Sequence, residues 1–556
     1  PPMEAPAPGS WNLILEHVQD AIKYSGNSAP GPDGIPYLAW RKLSDIAAPI
    51  LLAAAQQLED PNTIPPIDFN YAFLCCLPKK PVGVDPLLGE VYVPGGTRPL
   101  SIVNTDNRLI ANSYRLVLEP MANAWISRFQ RGFLPGRSII ANILDIDFEA
   151  MRISLKHPRG ALILFDFTAA FPSVNHEYMF KVLTHLGCPP HFINVVRALY
   201  INNRHILKLK GMQFRSVLTE SGVRQGCPLS PTLFVLIADV LLRHLNSVLP
   251  DAVLRAFADD TAAVVPDFLE HGEAILKIFS DFASFSGLEL NMDKTVVIPL
   301  WEAPILSIKS DIVPYRLPHW TNASFATWGR YLGFATGPGK GTHSWDKAVD
   351  KFSDRAGLWG SLTLGLNYTA RLYNTFTLSV LSYLWQLEDP PPQVLQREIQ
   401  VLKQLTPGPG RWRSIEDLYH LKQDFGLRFS FNSLSHMAEA AKCRVSLFEA
   451  ADQSSRRLEV DTLVAFTPYL QRAWVWREWY SQSHAHILSK SAADTNRKLG
   501  PTQRIWDELK RTHETEKGAK KVFQKNVYLL LLTPPRRSTD FDLRLRQKLS
   551  RWSGVP

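Results

Sequence analysis

Apolar residues recur at helical spacing between positions 11 and 25, where Leu13, Leu15, Val18 and Ile22 fall on one face. The stretch 27–34 (NSAPGPDG) is dense in turn formers and stops that helix. A second helical pattern covers 38–57, and an extended run at 71–78 ends in the basic pair Lys79 and Lys80. Strand and helix patterns then alternate. Residues 161–165 (ALILF) form a continuous apolar run of strand length, followed by Asp166 and a helical stretch. Residues 206–210 and 217–220 predict a hairpin, and 229–245 and 274–286 predict helices. Between those helices, 254–257 and 261–265 flank Ala258-Asp259-Asp260 as a strand–turn–strand unit. Helices on one side of a mainly antiparallel sheet predict an α+β domain. Past residue 300 a proline-rich connection leads to Tyr331-Leu332-Gly333-Phe334, and beyond 343 the pattern is largely helical. Proline-rich stretches at 389–392 and 406–410 mark domain edges.

Composition narrows the class. At 556 residues the chain exceeds one hydrophobic core and predicts two to four domains. A hydrophobic share of 45% and a charged share of 20% describe a globular protein. The net charge of +9 points to a polyanionic partner, and the excess is concentrated. From Ser491 onward 15 Lys and Arg stand against seven Asp and Glu, a surplus of eight. A solvated helical surface and a nucleic-acid contact explain that surplus equally well. Five cysteines (Cys75, Cys76, Cys188, Cys227, Cys443) lack metal-ligand or disulfide-framework spacing, which predicts a reducing, intracellular compartment. No apolar run approaches the ~20 residues that cross a bilayer, so no membrane partner is expected. The first residues carry no secretory signal, and a chain beginning on proline suggests a piece of a longer one.

The acidic positions carry the chemistry. Transfer of a nucleotide to a 3′-hydroxyl requires charge neutralised at the attacking oxygen, the leaving oxygen and phosphorus, which two divalent ions about 4 Å apart achieve. Such ions need carboxylates from different strands and keep waters and substrate phosphates as their other ligands. Taken singly, Asp166 reads as a strand-end or helix-capping residue, and Asp259 and Asp260 as turn chemistry. Taken together, both acidic sites end apolar strands, with a Gly/Pro-rich loop and a long helix between them.

The surroundings of these acids resemble those of reverse transcriptases. Asp166-Phe167-Thr168-Ala169-Ala170-Phe171 is similar to polymerase motif A, SGVRQGCPLSP at 221–231 to motif B, and Phe257-Ala258-Asp259-Asp260 to motif C. GLELNMDKT at 287–295 resembles motif D, and Tyr331-Leu332-Gly333 motif E. PKKP at 78–81 and TRPLS at 97–101 resemble the fingers motifs. GPDG at 31–34 and GFLPGR at 132–137 resemble blocks of LINE-type (non-LTR) retrotransposon enzymes and their group II intron relatives. The matches run in family order from 27 to 334, and the F-A-D-D form is typical of LINE-type enzymes.

The resemblance implies a right-hand polymerase with fingers, a palm and a helical thumb, plus a mostly helical C-terminal domain. It divides the chain into an N-terminal extension (1–70), fingers and palm (71–300), palm end and thumb (301–410) and a basic helical domain (411–556). It implies two Mg²⁺ ions, replaceable by Mn²⁺, on Asp166, Asp259 and the Phe167 carbonyl, with Asp260 nearby. It implies dNTP contacts from Arg98, Lys79, Ala170, Phe171, Gln225 and Lys294. A ring at Phe171 would clash with a 2′-hydroxyl and select dNTPs; a core phenylalanine is the plain alternative. Lys294 would protonate or bind the departing pyrophosphate. Implied nucleic-acid contacts are Lys80, Arg137, Arg224, Gly333, Lys520 and Lys521, on an RNA template and a DNA primer or RNA–DNA duplex. The aromatic cluster Trp474, Trp476, Trp479 and Tyr480, with Arg472, Arg477 and Trp412, is expected to pack a helical domain, with base stacking as the alternative. A group II intron-like maturase, a non-catalytic RNA-binding scaffold and a viral RNA polymerase are rival readings. No endonuclease accompanies the polymerase pattern.

Overall fold

The computed structural model describes residues 9–79, 81–87, 89–209, 211–362, 364–408, 414–449, 452–465, 474–513, 515–532 and 547. The chain forms two compact units, one of residues 1–142, 163–297 and 306–324, the other of 143–162, 298–305 and 325–556.

The strands up to residue 325 are β1 (Ala72–Pro78), β2 (Gly83–Asp85), β3 (Gly89–Val91), β4 (Thr97–Val103), β5 (Ala161–Phe165), β6 (Arg204–Leu209), β7 (Met212–Leu218), β8 (Val253–Phe257), β9 (Asp260–Val265), β10 (Val296–Pro299) and β11 (Ser324–Phe325). A four-stranded sheet runs β4-β1-β6-β7, and a five-stranded sheet runs β11-β10-β5-β9-β8. β1 pairs antiparallel with β4, Leu77 opposite Arg98, and parallel with β6. In the second sheet β5 is buried along its whole length, as its unbroken apolar run requires. Helix Phe268–Ser286 covers this sheet, with Phe279 stacked near Phe165 at 4.6 Å between ring centroids. The result is the α+β architecture the patterning predicts.

Three elements depart from the predicted limits. The helix expected at 38–57 breaks at Leu43 into Tyr37–Lys42 and Ser44–Gln57. The helix expected from 274 begins at Phe268, because the Asp267 side chain caps the amides of Leu269 and Glu270. Gly272 masks that first turn in the sequence, yet it is buried, and a Cβ there would sit 2.8 Å from Leu317. The second hairpin strand starts at Met212 rather than 217, with an irregularity between Ile206 and Lys208. Helix Ser230–Val248 has the length and composition of a membrane span, but 56% of that window is buried inside the protein.

The described residues from 326 onward are mainly helical, with a hairpin of β12 (Gly329–Tyr331) and β13 (Phe334–Thr336). Its two-residue turn places Leu332 at φ 47° and Gly333 at φ 89°, and the Tyr383 hydroxyl donates to the Leu332 carbonyl at 2.6 Å. Trp476, Trp479 and Tyr480 are buried, and the Tyr480 hydroxyl lies 3.0 Å from that of Ser154. The cluster therefore packs the domain, and base stacking by these three rings is excluded. Trp412 and Arg472 lie outside the described residues, as does the Trp474 side chain. Trp506, Leu509, Phe523, Val527 and Leu531 share a core with Ala440 and Cys443 of helix Leu434–Phe448. The basic region past Ser491 is thus half of a hydrophobic core, and removing it would unfold that core as well as remove charge.

Candidate active site

Asp166 follows the last residue of β5; Asp259 lies in the two-residue turn between β8 and β9, and Asp260 opens β9, the strand next to β5. The alternation of apolar strand and acidic end thus brings all three carboxylates to one cleft. Desolvation, then repulsion from Asp259 and Asp166, pushes Asp260 up to about 6. Desolvation also raises Asp259, and Asp166 adds to the rise, while its own backbone amide, Arg98 and Lys79 act in the opposite direction. Arg98 and Lys79, both exposed at strand ends, are therefore near enough for their charges to reach Asp259.

The motif D segment lies along motif A. The Asn291 amide donates to the Asp166 carbonyl at 2.7 Å, the Thr168 amide to Glu289 at 2.9 Å, and Phe167 bridges Leu290. This pairing carries Lys294 to the acids, its Nζ 3.4 Å from Asp166 Oδ2. That oxygen is buried and accepts no hydrogen bond.

Phe171 sits on a short helix, Ala170–Ser173, stacked on Phe234 at 4.5 Å and 12° and edge-on to Phe133 at 6.2 Å. It remains half-exposed, while Ala170 is buried at 5% exposure and has no open side-chain face for a nucleotide. The motif B loop docks on both neighbours: the Gly222 amide donates to Val174, the Val223 amide to Phe171, and the Gln225 carbonyl accepts from Ser101. Gly226 is required there, since a Cβ would lie 2.3 Å from the Ser101 oxygen. Gln225 lines a cavity of about 220 Å³ with Pro99, Pro172 and His205.

Two basic residues expected on nucleic acid have other employment. The Arg137 guanidinium donates to the carbonyls of Ser127, Gln130, Asn123 and Ile126 and to the Asn123 side chain, which uses its donors within the protein. Arg224 is buried, lies over the Tyr200 ring and reaches the side-chain oxygens of Asn70 and Asn107 at 3.3 and 3.4 Å. Both brace loops, Arg224 from a buried position and Arg137 from a half-buried one. Lys80 lies outside the described residues. In the second unit Lys520 pairs with Glu516 at 3.0 Å over the Phe448 ring, Lys521 is exposed, and a Cβ at Gly333 would meet Tyr383 at 2.9 Å.

Among the described residues no cluster of three or more His, Cys, Asp or Glu forms a ready metal cage. The donor set still fits a hard divalent cation: oxygens only, with Asp166 Oδ2 buried and not hydrogen-bonded, beside the raised carboxyls of Asp259 and Asp260. Sequence reading missed Gln130, whose buried amide binds the backbone of Ala258 in the F-A-D-D turn. Its signal was a polar residue two places before the glycine of the 132–137 block.

Residues 77–335 match the family model described as reverse transcriptase (RNA-dependent DNA polymerase). The chain is 29% identical over 53% of its length to the Retrovirus-related Pol polyprotein from type-2 retrotransposable element R2DM of Drosophila melanogaster, covering 27% of that protein. It is 27% identical over 58% of its length to the Transposon TX1 uncharacterized 149 kDa protein of Xenopus laevis, covering 24%. The chain thus spans about a quarter of these relatives. A solved apo telomerase from Candida tropicalis overlaps 67% of the chain, and 65% of its own length, at 12% identity and a TM-score of 0.38. Reverse transcriptases generally use divalent metal ions and a nucleic-acid template. With the acids of motifs A and C on neighbouring strands, residues 77–335 are similar to reverse transcriptase domains, including that of the type-2 retrotransposable element polyprotein.

Proposed function

We propose that the chain copies RNA into DNA, extending a 3′-hydroxyl primer with dNTPs in target-primed retrotransposition, a role that places it in the nucleus. The observation that supports this reading most is the meeting of Asp166 with Asp259 and Asp260 at one sheet end inside the matched segment. On this reading Asp166 and Asp259 hold two Mg²⁺ ions, or Mn²⁺ in their place, with the Phe167 carbonyl as a further oxygen ligand. Bound there, the ions neutralise the charge that develops on the attacking and leaving oxygens. Asp260 adds negative potential without direct ligation. Arg98 and Lys79 bind the triphosphate, Arg98 through its planar fork. Lys294 pairs with Asp166 before substrate arrives and afterwards gives its proton to the departing pyrophosphate or binds it. Phe171, braced by Phe234, stands under the sugar and excludes a 2′-hydroxyl, and Gln225 flanks the base. Residues 71–300 serve as fingers and palm, 301–410 as palm end and thumb, and 411–556 as a basic helical domain. Gly333 and Lys521 face the primer–template duplex.

Primer extension on an RNA template with Mg²⁺ tests the reading, comparing dNTPs with rNTPs and wild type with Asp259→Ala. DNA product from wild type, none from rNTPs and none from a variant that still binds RNA is the expected result. Folded wild-type protein that binds RNA but extends nothing with either set would overturn it.

A further inference from the structure

Gln130 takes no part in the chemistry outlined above, yet its side chain is wholly buried beside the acidic turn. The segment 129–132 runs parallel to β8: Gln130 bridges Ala256, the Arg131 amide donates to the Ala256 carbonyl and the Ala256 amide to Phe129, each at 2.8 Å. Asn142 adds a donor to the same Ala256 carbonyl at 2.9 Å. β8 ends at Phe257, and there the Gln130 side chain takes over from the backbone. Its Nε2 donates to the Ala258 carbonyl at 3.0 Å, and its Oε1 accepts from the amides of Ala258 at 2.9 Å and Gly132 at 2.8 Å. Two N–H groups converge on one end of the amide and a carbonyl faces the other, which fixes its orientation.

Ala258 needs this support. Its φ is 61°, in the left-handed region where a Cβ is strained and where a two-residue hairpin normally has glycine. We propose that Gln130 is a positioning residue: by satisfying both backbone groups of Ala258, its amide holds the turn left-handed and so aims the Asp259 carboxylate. The inference rests on the reading of Asp259 as a metal ligand. The charged groups around the clamp are Arg137, whose guanidinium holds the Gln130 carbonyl at 2.6 Å, Arg131, and the acids of the turn itself.

Two variants and two readouts test it. Gln130→Ala removes all three bonds. Gln130→Glu keeps the shape: when protonated, its hydroxyl donates to the Ala258 carbonyl while its C=O accepts from both amides; when ionised, an anionic oxygen faces that carbonyl. Mn²⁺ titrated onto the protein without nucleic acid and followed by electron paramagnetic resonance should bind Gln130→Ala about 10- to 100-fold more weakly than wild type. In primer extension kcat should fall by a similar factor at unchanged dNTP KM. The deficit of Gln130→Glu relative to wild type should be small where burial keeps the carboxyl protonated and widen as rising pH ionises it. Mn²⁺ affinity and kcat at wild-type level in a folded Gln130→Ala would overturn the proposal. Should that variant not fold, a Gln130→Glu deficit that does not change with pH would overturn it instead. Wild type that binds Mn²⁺ but extends no primer sinks the polymerase reading, and the Mn²⁺ comparison still decides for or against Gln130.

Discussion

Gly132 offers a sharp test of how the acidic turn is built. A Cβ at this position would stand 2.2 Å from the Ala258 amide nitrogen, 2.9 Å from its Cα and 3.0 Å from Gln130 Oε1. Ordinary contact begins at 3.4 Å, so Gly132→Ala forces the backbones apart by about 1 Å. Neither neighbour can give way cheaply, because Ala258 is held by the Gln130 amide and Gln130 by Arg137. Overpacking of this kind costs about 1–3 kcal/mol of stability. The functional loss should be larger in proportion, since the residue displaced precedes Asp259. A misplacement of about 1 Å in a catalytic group lowers turnover roughly 100-fold. The assay is single-nucleotide extension with saturating dNTP, run beside thermal melting. Two controls separate activity from stability. Gly95→Ala meets nothing within 4 Å and should leave both unchanged. Gly272→Ala pushes on the flexible Leu317 side chain at 2.8 Å rather than on the backbone of the acidic turn, and should lower the melting temperature while sparing kcat. Gly132→Ala that extends primers at the wild-type rate would refute the argument that backbone contact at this glycine sets the turn.

Asp260 gives a pH test on metal-free protein. Its carboxyl titrates near 6 in the folded state against 3.8 for the free side chain, so its ionisation opposes folding. That penalty is absent below the unfolded value, grows through the window from 3.8 to about 6, and is complete above it. Asp260→Asn should therefore raise the melting temperature in chelator at neutral pH and leave it unchanged near pH 3.8; an equal gain at both would rule out the charge argument. Phe171→Ala should admit ribonucleotides in competition assays and lose some stability, because the ring stacks on Phe234 at 4.5 Å. Loss of stability with unchanged sugar selection would make Phe171 a packing residue only.

Much of the polymerase core was legible because its signals are local. The unbroken apolar run of β5 is what a strand buried on both faces must look like, and the acids beyond β5 and β8 fall where strand patterning stops. Lys294 was legible as chemistry but not as geometry. Its approach to Asp166 depends on the pairing of Asn291 and Glu289 with motif A, more than a hundred residues away. Arg137 and Arg224 misled because a cation looks the same in sequence whether it faces phosphate or backbone carbonyls. What distinguishes them is burial for Arg224 and four backbone carbonyl partners for Arg137, and tertiary packing alone sets both. Gln130 was silent for the same reason: a single amide has no periodicity, and its partner is 128 residues distant.

The charge balance of the cleft ties these observations together. Three carboxylates crowd one end of the sheet, and the nearest ion pair is Lys294 with Asp166. That lysine side chain is 69% exposed, so solvent screens it, and such a pair contributes little stability. Arg98 and Lys79 lower the Asp259 pKa, but desolvation and Asp166 outweigh them and the net shift remains upward. The protein's own cations thus leave the acids repelling one another, in a turn strained at Ala258. A structure selected for stability alone would have neutralised or dispersed them. On the proposed reading the residual repulsion is what a divalent cation relieves on binding. The clamp at Gln130 keeps the turn from relaxing away from that geometry in the meantime. Metal affinity, the pH dependence of stability and the tolerance of Gln130 and Gly132 to substitution are then consequences of one arrangement. A change that lowers the charge of the cleft without breaking the clamp, such as Asp260→Asn, should therefore stabilise the metal-free protein while weakening its hold on the cation.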